Sequence, residues 1–65
     1  MWVEMRRTSN LLLAEMWKEL FEGEGISVRL LTEGTMEPGG VEDAPYVVYV
    51  PFWKKHVAEE VLRKI

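Results

Sequence analysis

The sequence predicts a small α+β domain whose five elements follow in the order strand, helix, strand, strand, helix. Two segments alternate apolar and polar residues with the period of a strand, and two others place apolar residues at helical spacing. The segment 46–50 consists only of β-branched and aromatic residues, and both of its faces are apolar. Such a segment is typical of a strand that is paired on both sides. We therefore interpret it as the central strand of a three-stranded sheet.

The first half of the chain predicts a strand followed by a helix. Residues 2–7 alternate, with Val3 and Met5 on one face. Polar residues that can cap a helix follow at 8–10, and apolar residues then recur at helical spacing up to about Glu22. The predicted buried stripe of this helix consists of Leu13, Met16, Trp17 and Leu20.

The second half predicts two strands and a second helix. Residues 26–32 alternate again, and the segment 33–45 that follows is rich in glycine, proline and acids. We interpret 33–45 as a connection that is either flexible or contacts a partner. After the central strand, Pro51 has the fixed φ that suits the start of a helix, which we place at about 52–64. The predicted buried stripe of this helix consists of Trp53, Val57, Val61 and Ile65, with Ala58 and Leu62 beside it.

These elements predict a split βαβ arrangement. A right-handed crossover makes the first two strands parallel, and the third strand inserts between them, antiparallel to both. The result is a truncated ferredoxin-like domain over residues 1–65, with strand order 1-3-2 and both helices on one face. A plain meander beside two helices is the alternative. Alternation places these side chains on the sheet face away from the helices: Trp2, Glu4, Arg6, Arg29, Leu31, Val47 and Tyr49.

Length and composition exclude several classes of protein. A chain of 65 residues buries only about 60% of its unfolded surface. We expect the core to rest on Trp17, Leu20, Val48 and Val57. The chain has no cysteine for disulfides, and its net charge of −3 lacks the basic excess of nucleic-acid binders. No apolar run approaches the ~20 residues of a membrane span, and the charged N-terminus is unlike a signal peptide. We therefore expect a cytoplasmic protein.

Three segments resemble a known family. They are Glu24-Gly25-Ile26 after the first helix, Val48-Tyr49-Val50-Pro51, and Ala58-Glu59-Glu60-Val61-Leu62. The chain is similar over nearly its whole length to small bacterial domains described as prokaryotic signal-transducing proteins, whose fold is related to the PII nitrogen-signalling proteins. The resemblance implies a regulatory role without a known biochemical activity. In PII proteins the connection between the second and third strands is a long mobile loop that meets partners, and 33–45 corresponds to it.

The residue types that carry catalysis or metal binding do not form a site in this sequence. His56 lies at helical spacing from Glu59 and Glu60, but one helix makes a poor closed metal site, so a solvated histidine is the better interpretation. The serines and threonines lack a base and an orienting group beside them. We therefore expect neither an enzyme nor a cofactor or metal.

Three surfaces remain as candidates for binding. On the sheet face away from the helices, these residues form either a partner surface or a lone, partly covered patch: Trp2, Leu31, Val47 and Tyr49. In the second case the stem of Arg29 lies over Tyr49 and shields it within the monomer. Two-fold pairing through this face would give a homodimer. In the connection 33–45, the partner-binding candidates are Met36, Glu37, Glu42 and Asp43. At the start of the second helix, Lys54 and Lys55 could hold an anion.

The sequence therefore predicts a non-enzymatic regulatory or signal-transducing binding module. We expect it to contact a protein partner through the connection 33–45 or through the sheet face away from the helices. The alternatives are a sensor of small anions at Lys54 and Lys55, and a structural domain that forms homo-oligomers.

Overall fold

The computed structural model describes residues 1–32 and 45–65. The four candidates Met36, Glu37, Glu42 and Asp43 lie outside the described residues. The described elements are β1 (Trp2–Thr8), α1 (Leu11–Gly23), β2 (Arg29–Thr32), β3 (Tyr46–Pro51), a 3₁₀ turn (Phe52–Lys54) and α2 (Lys55–Arg63). The order of elements is the one that the sequence predicts, although β2 is shorter than expected and α2 begins later.

The sheet has the strand order β1-β3-β2, and β3 is antiparallel to both of its neighbours. Val48 of β3 lies opposite Arg6 of β1 on one side and Leu30 of β2 on the other. The central position of β3 and the split βαβ arrangement are therefore confirmed.

The core lies between one face of this sheet and the two helices. Val48 and Val50 pack in one cluster with Phe21 and Ala14 of α1 and with Ala58 of α2, so both helices cover the same face. The inward side of the strands is confirmed: Ile26 is buried, and these residues pack against the cluster: Val3, Met5, Val28 and Leu30.

The predicted buried stripes of both helices are partly wrong. In α1 the fully buried residues are Ala14 and Phe21, whereas Trp17 and Leu20 are half-buried and Met16 is exposed. In α2 the fully buried residue is Ala58, flanked by half-buried residues at 61 and 62. The residues predicted to be buried there but found exposed are Trp53, Val57 and Ile65.

In α1 the buried positions 14 and 21 lie one residue around the helix from the predicted 13 and 20. Residues 14, 17 and 21 show the same three- and four-residue steps as the predicted stripe, so spacing alone does not decide between the two sets. In α2 the preceding 3₁₀ turn is the cause. It advances by three residues per turn instead of 3.6, which moves Trp53 out of phase with the stripe of the helix that follows.

The ends of α1 are fixed by local hydrogen bonds. The Asn10 side chain accepts from the Leu13 N–H, so Asn10 is the N-cap among the three polar candidates. At the other end, the Gly25 N–H donates to the Glu22 carbonyl and the Ile26 N–H donates to the Phe21 carbonyl. These two bonds form a Schellman motif, which needs the positive φ of 82° that Gly25 adopts. The motif brings Ile26 against Phe21 in the core.

Candidate binding surfaces

A β-bulge in β1 decides which basic residue lies on which face of the sheet. The register between β1 and β3 shifts between Glu4 and Arg6, so Met5 and Arg6 together oppose Val48. Arg6 therefore lies on the helix side, and Arg7, opposite Val47, lies on the other. The expectation that Arg6 belongs to the face away from the helices is wrong, because regular alternation cannot reveal an inserted residue.

Arg7 takes the place expected for Arg6 and forms an ion pair with Glu4. Its guanidinium donates two hydrogen bonds to the Glu4 carboxylate, through Nε at 3.1 Å and Nη2 at 2.9 Å. The hydrogen bond and charge of Arg7 lower the pKa of Glu4 from its ordinary value near 4.5. This pair lies at the solvent-exposed surface of the sheet.

The sheet face away from the helices, which we call the open face, is partly covered within one chain. Val47 is fully buried although its side chain points away from the core cluster, and Tyr49 is half-buried. The Arg29 guanidinium lies 4.6 Å from the ring centroid of Trp2, a cation–π distance. Leu31 is 50% exposed and Trp2 is 37% exposed. The four predicted residues share this face, but of these only Trp2 and Leu31 are exposed by more than a third.

A cavity of about 560 Å³ lies between β1 and α2, at a place that the sequence does not indicate. Its lining residues are Glu4, Met5, Arg6, Lys55, Glu59, Leu62 and Arg63. Arg6 and Lys55 therefore stand on its opposite walls. We call this cavity the β1–α2 groove.

The two lysines of the predicted anion site separate in the structure. Lys54 is the N-cap of α2 and makes no capping side-chain bond, whereas Lys55 opens the helix and lines the β1–α2 groove. Lys55, one of the two cations of the predicted anion site, thus lies in the groove. The other cation of the groove wall there is Arg6 of β1 and not Lys54. The bulge is what brings Arg6 there.

The turn between β3 and α2 carries the most exposed aromatic side chains of the described chain. Trp53 is 70% exposed and Phe52 is 59% exposed, and Val57 follows one helical turn later with 38% exposure. The Phe52 N–H donates to the Met1 carbonyl at 2.7 Å, which fixes this turn to the start of β1. We call Phe52, Trp53 and Val57 the aromatic junction. In the sequence, Pro51 followed by two aromatic residues indicates the start of a buried helix, so the pattern did not predict this exposed turn.

The described residues contain no cluster of side chains that could hold a metal ion. No three His, Cys, Asp or Glu side chains in ranges 1–32 and 45–65 are close enough to share a metal ion, and His56 is exposed. No polar or charged residue in these ranges is buried. Neither described helix has the length and apolarity to cross a membrane.

Comparison with family models, curated proteins and solved structures gives no match to this chain. The resemblance to prokaryotic signal-transducing domains therefore stays an expectation from the sequence.

Proposed function

We propose that this chain is a non-enzymatic binding module of a regulatory kind, and that it contacts a protein partner through the aromatic junction. The observation that carries the proposal is the exposure of Phe52 and Trp53 beside a core whose fully buried side chains are mostly alanine and valine. The largest fully buried side chains of the described residues are Phe21, Ile26, Val47, Val48 and Val50. Neither exposed aromatic of the junction contributes to that set.

The energy of burial supports a use for this exposure. Burying an aromatic side chain contributes about 1.5–3 kcal/mol, and a core of this size supplies roughly 3–5 kcal/mol in total. Leaving both aromatics in water forgoes an amount comparable to the whole stability of the domain. Tryptophan is also, with tyrosine and arginine, one of the residue types enriched among the side chains that carry most of the binding energy at protein interfaces. A partner that covers Trp53 would therefore gain the free energy of burying an aromatic surface that folding leaves exposed.

The experiment compares two variants, each of which removes an apolar side chain that is at least 70% exposed. Trp53→Ser changes the aromatic junction, and Leu12→Ser changes a residue of α1 that is also exposed. Proteins captured by the full chain are identified by mass spectrometry, purified, and titrated against each variant by calorimetry. We expect Trp53→Ser to weaken binding by about a hundredfold, as loss of a central tryptophan does, and Leu12→Ser to leave it unchanged.

Two results would contradict the proposal. A purified partner that binds wild type and Trp53→Ser equally would show that the aromatic junction is not the contact. Failure of the full chain to retain any protein, even after chemical cross-linking in cells, would remove the binding function itself.

A second function, sensing of a small anion, is favoured by the facing cations of the β1–α2 groove. Arg6 and Lys55 approach the same space from two elements, and both can make charge-assisted hydrogen bonds to a carboxylate or phosphate. Titration of citrate and of inorganic phosphate, followed by tryptophan fluorescence and by NMR, tests this function. Saturable shifts at Arg6 and Lys55 would support a sensor, and their absence at millimolar anion would exclude one.

A further inference from the structure

The outer edge of β1 has backbone groups available for another strand. In the described part of the chain β1 pairs only with β3. The bond from the Phe52 N–H to the Met1 carbonyl fixes the alternation of the ladder. It makes Val3 and Val50 a hydrogen-bonded pair, whereas Trp2 and Glu4 occupy non-hydrogen-bonded positions. The N–H and C=O groups of Trp2 and Glu4 therefore point to the outer edge.

The β1–α2 groove runs along this edge. The Glu4 side chain lies on the open face, opposite Tyr49, whereas α2 lies on the other face of the sheet. The groove touches Glu4, a residue of this edge strand, as well as α2, so it lies beside the outer edge of β1. Its volume of about 560 Å³ is within the range of ligand sites, about 300–1,000 Å³. An edge strand beside a helix is also the arrangement that holds an extended peptide by strand addition.

The charge of the groove selects the kind of segment. Its lining has three basic residues and two acidic ones, a balance of 3 − 2 = +1, in a chain whose net charge is −3. Glu4 is engaged by Arg7, and Arg63 is engaged by Glu60 at 2.9 Å. Within the described ranges Arg6 and Lys55 have no ion-pair partner, which leaves two cations against the single acid Glu59. Acidic side chains would be attracted to these walls and basic ones repelled.

We propose that the β1–α2 groove binds an extended acidic segment of a partner protein as a fourth strand beside β1. This proposal rests on the binding function above, and it adds a site and the chemistry of the ligand. The segment would bond to the outward backbone groups of Trp2 and Glu4 and place acidic side chains between Arg6 and Lys55. The bulge at Met5 limits regular pairing to the first half of β1. The bulge and the positive charge of Arg6 together discourage pairing of this edge with segments that are not acidic.

A second copy of the chain fits this groove less well than an acidic segment does. Two-fold pairing would place each groove against its own copy, so Arg6 and Lys55 of one protomer would approach the same cations of the other. The positive balance of the lining then opposes the contact. An acidic segment neutralises it.

The test is NMR spectroscopy of the ¹⁵N-labelled full chain with two short blocked peptides, in which valine alternates either with glutamate or with lysine. With the acidic peptide we expect shifts at Lys55 and slower solvent exchange of the Glu4 amide, which points outward. The exchange of the Val3 amide, already bonded to β3, should not change. The lysine peptide should cause neither effect.

Two exposed residues provide matched charge reversals. Arg6→Glu should weaken the acidic peptide several-fold and make the lysine peptide bind, whereas Lys64→Glu, outside the groove lining, should change neither. Equal binding of both peptides, or no effect of the acidic peptide on Glu4 and Lys55 at millimolar concentration, would overturn the groove proposal. If a purified partner still depended on Trp53, the binding function would stand without the groove. If the acidic peptide protected Glu4 but no protein depended on Trp53, the groove would stand without the aromatic junction.

Discussion

The guanidinium of Arg29 lies over the indole ring of Trp2, 4.6 Å from its centroid. Arg29 belongs to β2 and Trp2 to β1, and these strands flank β3. The two side chains therefore meet above the central strand and cover part of the open face within one chain. This relationship favours shielding within the monomer over pairing of two open faces.

We expect the chain to be a monomer at tens of micromolar. Of the four predicted residues of the open face, only Trp2 and Leu31 remain exposed by more than a third. The exposed surface of two side chains is far below the ~800 Å² per partner that a stable interface buries. Sedimentation equilibrium should give the mass of one chain, and Leu31→Glu should not change it. A dimer that dissociates in Leu31→Glu would show that the open face is an interface.

Removing the cation from Trp2 should destabilise the domain slightly. We expect Arg29→Met, which keeps an apolar stem but loses the charge, to cost about 0.5–1 kcal/mol in urea unfolding. Arg63→Met serves as the control because its exposed ion pair with Glu60 contributes little. Equal stability of Arg29→Met and wild type would mean that the contact with Trp2 adds nothing in solution.

The same substitution at two valines should separate core from surface. Val48 is fully buried in β3, whereas Val57 is 38% exposed on α2. Val48→Ala should lower the free energy of unfolding by about 2–3 kcal/mol, through lost burial and a cavity. Val57→Ala should be nearly neutral, because alanine is the better helix former. Similar losses of unfolding free energy at both positions would mean that Val57 is buried, as the sequence predicted for α2.

The cap of α1 can be tested at two neighbouring polar residues. Asn10→Ala removes the acceptor of the Leu13 N–H and should cost about 1 kcal/mol. Ser9→Ala is the control, since Ser9 is exposed and its side chain makes no hydrogen bond with the described residues. Thermal unfolding of the two variants measures the difference. A larger loss at Ser9 would place the cap there.

The ion pair of Glu4 and Arg7 predicts a pH dependence. The folded state lowers the pKa of Glu4, so the contribution of this carboxylate to stability is present above its unfolded pKa, near 4.5, and is lost as the pH falls through the lower folded value. Glu4→Gln should therefore be less stable than wild type at neutral pH, and the difference should shrink in acid. The urea midpoints of Glu4→Gln and wild type, measured at neutral pH and in acid, give this difference. A difference that grows on acidification would have the wrong sign.

The sequence predicts the topology well because β3 is marked by composition as well as by pattern. A strand with two apolar faces needs neighbours on both sides, and only insertion between β1 and β2 supplies them. The side chains facing the helices, such as Val3 and Leu30, follow from strict alternation. Strand order and the inward face could thus be derived before any coordinates.

The candidate site could not be predicted as well, because it depends on two departures from regular structure. The bulge at Met5 brings Arg6 to the helix side, and the 3₁₀ turn at 52–54 leaves Trp53 in the solvent. Neither departure changes the apolar period on which the prediction relies. The β1–α2 groove and the aromatic junction both arise at these two irregularities.

The most direct measurement of the binding function is NMR mapping of the ¹⁵N-labelled chain in complex with a purified partner. We expect the largest shifts at Trp53, including its indole N–H, and at Phe52, while Leu12 and Met16 on the exposed side of α1 stay unchanged. Shifts confined to Leu12 and Met16, with the Trp53 indole unaffected, would contradict the proposed function of the aromatic junction.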